Sequence, residues 1–249
     1  DSVNSIGQAA FAGCDALWSA SLGNSLPSIA DSLFSGCSTL SNVTLGNNIQ
    51  SIGENAFRNC KTLKSVNLPN MVNEIKYRAF TDCSALTSLN MGNSLHTIGG
   101  YAFYNCSSLN SITWSSSLTN IGNYAFYGIA IKTLNLPGKV TVIDNAAFQN
   151  CSSLERVVLD ENLTQINNSL FDNCIALQSV KVGNYVTSIG EYAFSGCSAL
   201  TNINIPDSVT SIKWRAFQKC TSLQDMILGN GITKIDGYAF ANCSSLQTL

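Results

Sequence analysis

Charge is scarce in this sequence. Its 249 residues hold 13 Lys and Arg against 15 Asp and Glu, a net charge of −2, so that 11 % of positions are charged, against roughly 25 % in ordinary soluble domains. The surface is polar through Ser and Asn instead. With no basic surplus to neutralise a phosphate backbone, nucleic acid is not an expected partner. Histidine is scarcer still. His96 is the only one, so a His-rich metal site cannot form, and Cys-His or Ser-His chemistry would have to run through a residue whose flanks match no nucleophile motif. No run of about 18 apolar residues occurs, so membrane insertion is not expected. The opening Asp1-Ser2-Val3-Asn4 has neither the basic nor the apolar region of a signal peptide. With 45 % hydrophobic residues the chain can still bury a core, which argues against disorder.

What is abundant is repetition. All eleven Phe fall on one ruler: Phe11, Phe34, Phe57, Phe80, Phe103, Phe126, Phe148, Phe171, Phe194, Phe217 and Phe240, a step of 23 residues with one step of 22 between Phe126 and Phe148. Each of the ten Cys sits three residues after a Phe; the sixth unit alone has Ile129 there and is also one residue short. The unit reads I-x-x-x-A-F-x-x-C-x-x-L-x-x-V-x-L-x-x-x-V. In the third copy these positions are Ile52, Ala56, Phe57, Cys60, Leu63, Val66, Leu68 and Val72. Val66 and Leu68 alternate with Ser65 and Asn67, the period of a strand with one buried face. Ala56-Phe57 through Cys60 reads as about one turn of helix. A period of this length marks a solenoid, because one coil cannot bury its apolar side chains alone and stacked coils can.

The repeat also explains the cysteines. No C-x-x-C occurs, so zinc spacing is missing. A recurrence in phase with Phe and Leu makes Cys a small core residue. Ladder side chains run parallel rather than toward one another, so free thiols are expected, not disulfides. Glycines recur at turns without forming a phosphate loop, and the carboxylates lack calcium-loop spacing. No catalytic residue, metal or cofactor is expected, and the chain reads as no enzyme.

Units such as IGENAFRNCKTLKSVNLPNMVNE and IGEYAFSGCSALTNINIPDSVTS resemble the BspA-like, or Treponema-pallidum-type, leucine-rich repeats over essentially the whole chain. The resemblance implies an α/β fold: a right-handed leucine-rich-repeat solenoid of about eleven 23-residue coils, with a parallel β-sheet on one face and short helical turns on the other. Residues 1–249 are expected to form a single leucine-rich repeat domain, a fragment of a longer array, since no polar cap is recognisable at either end. The resemblance further implies an extracellular or cell-surface protein of a microbe and a non-enzymatic adhesion module. Its partner would be a host or neighbouring-cell protein, a matrix or surface protein. End-to-end self-association is a further expectation. The alternative is a structural spacer or an intracellular scaffold with no dedicated ligand.

Two outward patches are candidate protein-binding sites. Beside the Ala-Phe turn, Tyr77, Tyr101, Tyr104, Tyr124 and Tyr127 fall on adjacent coils, and Tyr supplies contact area with a polar tip. Tyr192, Trp214 and Tyr238 echo them later. On the strand face most outward residues are small and polar. The seventh and eighth coils depart from this with Arg156, Val158 and Lys181, beside Glu155, Asp160 and Glu161.

Overall fold

The computed structural model describes residues 2–159 and 161–249; Asp160, named above beside the strand-face patch, lies outside them. The chain divides into two compact units, Asp1–Ile129 and Ala130–Leu249.

In the first unit, three-residue strands alternate with two-residue strands along the chain. They are β1 (Ser19–Ser21), β2 (Ser28–Ile29), β3 (Asn42–Thr44), β4 (Ser51–Ile52), β5 (Ser65–Asn67), β6 (Glu74–Ile75), β7 (Ser88–Asn90), β8 (Thr97–Ile98), β9 (Ser111–Thr113) and β10 (Asn120–Ile121). The longer strands pair in parallel as β1–β3 and β5–β7–β9, and the shorter ones as β2–β4–β6–β8–β10. Every pairing joins equivalent repeat positions, as in Val66↔Leu89↔Ile112 and Ile52↔Ile75↔Ile98. The centres of the longer strands point inward and their flanks outward: Val66 is buried between exposed Ser65 and Asn67.

The second unit repeats the scheme with β11 (Thr133–Asn135), β12 (Val142–Ile143), β13 (Arg156–Val158), β14 (Gln165–Ile166), β15 (Ser179–Lys181), β16 (Ser188–Ile189), β17 (Asn202–Asn204), β18 (Ser211–Ile212), β19 (Asp225–Ile227) and β20 (Lys234–Ile235). Its ladders are β11–β13–β15, β17–β19 and β14–β16–β18–β20, all parallel. Among the described residues nine turns, from β2–β3 to β18–β19, carry both strands. The expected eleven coils are therefore not all complete. The first repeat has no strand at Ile6, and the last ends in a single bridge from Thr248 to Asp225.

The expected helical turns, and with them the α/β label, are corrected by the structure: among the described residues there is no helix. The reason lies in where the backbone amides go. Around Phe57, the amides of Ala56, Arg58 and Cys60 close tight turns onto Gly53, Asn55 and Phe57 carbonyls. The alternate amides of Asn55, Phe57 and Asn59 instead donate to Tyr77, Ala79 and Thr81 of the next coil at 3.0, 2.7 and 2.9 Å. Helical i→i−4 bonds are thus replaced by bonds between coils, and Asn55 and Asn59 take left-handed φ of 52° and 60° to aim the alternating groups.

The core is a set of ladders. Phe34 through Phe126 and Phe148 through Phe217 are at most 1 % exposed. Their rings stack with neighbours, as for Phe57–Phe80 at 5.0 Å and Phe194–Phe217 at 5.2 Å between centroids. Cys37 through Cys220 are buried free thiols, whereas Cys14 is exposed and Cys243 half-buried.

Candidate functional site

The turn carrying Phe also sets the outward side chains. Two residues before each Phe the backbone is left-handed, and that position holds Arg78, Tyr101 and Tyr124 in the first unit, with φ of 56°, 58° and 55°. Its amide is tied to the following coil: Arg78 N donates to the Gly100 carbonyl at 3.0 Å, and Tyr101 N to that of Asn123 at 2.8 Å. The side chains consequently rise from the surface in register.

All five expected tyrosines of this unit meet. Tyr101 stacks on Tyr124 at 4.9 Å and Tyr104 on Tyr127 at 4.5 Å; Tyr77 stands edge-on to Tyr101 at 5.6 Å, and Tyr101 contacts Tyr104 at 5.4 Å. Tyr77 is exposed and the other four are partly covered by one another. Partial burial, then the neighbouring tyrosines, push the hydroxyls of Tyr101 and Tyr104 above the usual phenol range. At neutral pH Tyr101 and Tyr104 thus offer uncharged hydroxyls on an aromatic platform.

Arginine was the component that the outward-residue pattern did not reveal. The Arg78 guanidinium lies over two adjoining rings, 4.9 Å from the centroid of Tyr77 and 5.2 Å from that of Tyr101. Beside it a shallow depression is lined by Arg58, Arg78, Asp82, Tyr101 and Tyr104. Asp82 there accepts a hydrogen bond from Asn105 Nδ2 at 3.1 Å.

The second unit builds a related cluster from Tyr192, Trp214, Arg215 and Tyr238. Arg215 sits 4.0 Å over Trp214, 5.3 Å from Tyr238 and 5.7 Å from Tyr192, and its Nη1 donates to the Tyr192 hydroxyl at 3.3 Å. The rings themselves meet edge to face, Tyr192 on Trp214 at 5.1 Å and Trp214 on Tyr238 at 6.4 Å.

The strand-face candidates are less concentrated. Val158 on β13 is paired with Lys181 on β15, and both line a shallow depression with Asn135 and Glu161. Arg156 is exposed on the same strand but is not part of that lining. Nearby, Glu155 is bound to Lys132 at 3.2 Å; an exposed pair of this kind contributes little. Glu161 accepts from the Asn184 amide at 2.8 Å.

The profile described as "BspA type Leucine rich repeat region" matches in six copies, over residues 1–95, 75–198 and 164–249. A leucine-rich repeat protein from Eubacterium ventriosum is similar, with a TM-score of 0.66 at 20 % identity, over 98 % of this chain and 81 % of that one. A leucine rich cell surface protein from Faecalibacterium prausnitzii is 25 % identical with a TM-score of 0.59, over 98 % and 81 % of the two chains. A leucine-rich repeat protein from Bacteroides ovatus gives 24 % and 0.59, over 97 % and 80 %. No curated protein matches the chain in sequence.

Proposed function

The chain belongs to the BspA-type leucine-rich repeat family, a non-enzymatic repeat scaffold, and on that premise we propose that it is a protein-binding module of a bacterial cell-surface or secreted protein. In this reading it adheres to a matrix or surface protein of a host or neighbouring cell. The observation that carries the reading is the tyrosine cluster of the first unit, five rings in mutual contact on an outward turn face. Large aromatic side chains with polar tips are enriched where proteins bind proteins, and none of these rings is needed to fill the core, which the Phe ladder already occupies. Surface placement is supported by the likeness to the F. prausnitzii protein, itself described as a cell surface protein. Among the described residues no helix is long and apolar enough to cross a membrane.

The test is solid-phase binding of the purified chain to a panel of extracellular-matrix and cell-surface proteins, repeated with Tyr77, Tyr101, Tyr104, Tyr124 and Tyr127 changed together to Ser. The expected result is capture of at least one panel member, weakened tenfold or more by the substitutions. Capture unaffected by them would exclude this face and turn attention to Val158, Lys181 and Arg156. Capture of nothing would favour the structural-spacer reading, which has one observation behind it. The outward flanks of β5, β7 and β9 are small polar groups: Ser65, Asn67, Ser88, Asn90, Ser111 and Thr113.

A further inference from the structure

We infer that the Arg78 and Arg215 clusters are twin docking sites for an acidic peptide segment of the protein partner, each taking a carboxylate that stands beside an aromatic or aliphatic side chain. This inference rests on the protein-binding reading above and specifies its chemistry.

The first support is a duplication within the outward residues. Ile75-Lys76-Tyr77-Arg78-Ala79-Phe80 recurs as Ile212-Lys213-Trp214-Arg215-Ala216-Phe217, and the following coil gives Gly100-Tyr101-Ala102-Phe103 and Gly237-Tyr238-Ala239-Phe240. Only in these two repeats does Lys stand four residues before the Phe, and only in these two does Arg stand two before it. The core needs none of this, since the repeats with Asn55 or Ser169 at the same position bury their Phe equally well.

The second support is conformational. Arg78 and Arg215 both have a φ of 56°, a region that favours Gly or Asn and disfavours long side chains. Local preference therefore opposes these arginines. In both units the guanidinium is nevertheless held over aromatic rings, those of Tyr77 and Tyr101 in one and of Trp214, Tyr192 and Tyr238 in the other.

The third support is unspent charge. The described residues contain two ion pairs, Lys132–Glu155 and Lys234–Asp236. Lys76, Arg78, Lys213 and Arg215 thus have no carboxylate within 4.0 Å among those residues. The buried Nε of Arg215 has no hydrogen-bond partner, and neither has that of Arg58, which lines the depression beside Arg78.

A guanidinium stacked on rings keeps in-plane N–H donors at its rim, and their fork matches a carboxylate. The surrounding rings supply apolar contact for whatever flanks that carboxylate. A sulfated polysaccharide would need a continuous basic track, whereas this chain carries a net charge of −2 and presents its cations in separate clusters.

The experiment is isothermal titration of the folded chain with the synthetic peptide acetyl-Gly-Glu-Phe-Glu-Gly-amide, with its Gln-for-Glu counterpart, and with heparin. Circular dichroism melting of each variant verifies folding. Expected are two sites for the acidic peptide and at least tenfold weaker binding of the Gln peptide. Arg78→Gln and Arg215→Gln should each remove one site, and together both; Arg78→Lys, which keeps the charge but not the fork, should weaken its site several-fold. Peptide binding that survives the double Gln variant would overturn the inference. So would heparin binding at these sites with the peptide inert. If the peptide fails to bind while the wild-type chain and the double variant capture panel proteins equally, this inference falls and the wider reading stands. Failure to capture any protein, with the peptide also inert, overturns both.

Discussion

The thiol of Cys83 donates to the backbone carbonyl of Phe57, 3.1 Å away and one coil earlier. The same carbonyl accepts the amide of Cys60, in its own coil, at 3.1 Å. The pattern recurs as Cys60 on Phe34, Cys106 on Phe80, Cys197 on Phe171 and Cys220 on Phe194, at 3.1–3.3 Å. Cysteine is therefore placed by two demands at once: a small volume behind the Phe ring, and a weak donor for a carbonyl buried away from water.

Replacing Cys83 with Ala should remove that donor and leave a small void, costing about 1–2 kcal/mol. A lower urea midpoint with an unchanged slope would register it. Ser, which restores a donor without the sulfur volume, should recover part of the loss.

Burial pushes the Cys60 thiol from 9.0 up to about 12 and raises Cys83 as well, with the neighbouring thiols adding to the rise. These groups are acids whose proton is held more tightly in the folded chain. Their contribution is whole below pH 9, where both states are protonated, and is lost as pH rises through the window from 9 to about 12. At pH 10 the loss is roughly 1 kcal/mol for Cys60. Tyr101 and Tyr104, shifted in the same direction, add to it. Melting temperature followed from pH 7 to 11 should fall above pH 9, and less steeply in a Cys60→Ala variant.

Alkylation should be selective. Cys14 is exposed, and Cys243 is half-buried with its thiol held below the usual range by the adjacent Cys220 side chain. Iodoacetamide at pH 8 should modify these two in the native chain. Cys60, Cys83 and Cys106 should react only after denaturation, as peptide mapping by mass spectrometry can show. Rapid native labelling of Cys83 would contradict the ladder.

Gly46 has no room for a side chain. A Cβ placed there would collide with the Gly23 carbonyl oxygen and come within 2.7 Å of its carbon, both backbone atoms of the preceding coil. Gly46→Ala should therefore spread the two coils and cost on the order of 2–3 kcal/mol, read by thermal melting. Gly7→Ala, with nothing within 4 Å, serves as the neutral comparison.

The ladders were legible in the sequence because every coil meets the same neighbour at the same height, so Ile52, Phe57, Cys60 and Leu63 recur without regard to what faces outward. The family was legible for the same reason. The turn around Phe57 was misread as helical because Ala-Phe-x-x-Cys has helical spacing within one coil. What decides its conformation is the set of amides donated to Tyr77, Ala79 and Thr81, each 22 residues away in sequence and invisible to a local pattern. The tyrosines were found because rings at successive outward positions announce themselves. Arg78 and Arg215 were missed because a single Arg in a variable position looks like ordinary surface. The signal available was the doublet Lys-x-Arg inside Ile-Lys-Tyr-Arg-Ala-Phe and Ile-Lys-Trp-Arg-Ala-Phe.

The alternation of amides around each Phe has one more consequence. Within each unit a coil offers its predecessor the same row of carbonyls that it takes from its successor, as the Phe57 amide donates to Ala79 and that of Phe80 to Ala102. Growth or shortening by whole repeats would leave that handshake intact, so evolution can alter reach without redesigning the interior, and can rewrite the decoration of one rung while the rungs on either side keep their grip.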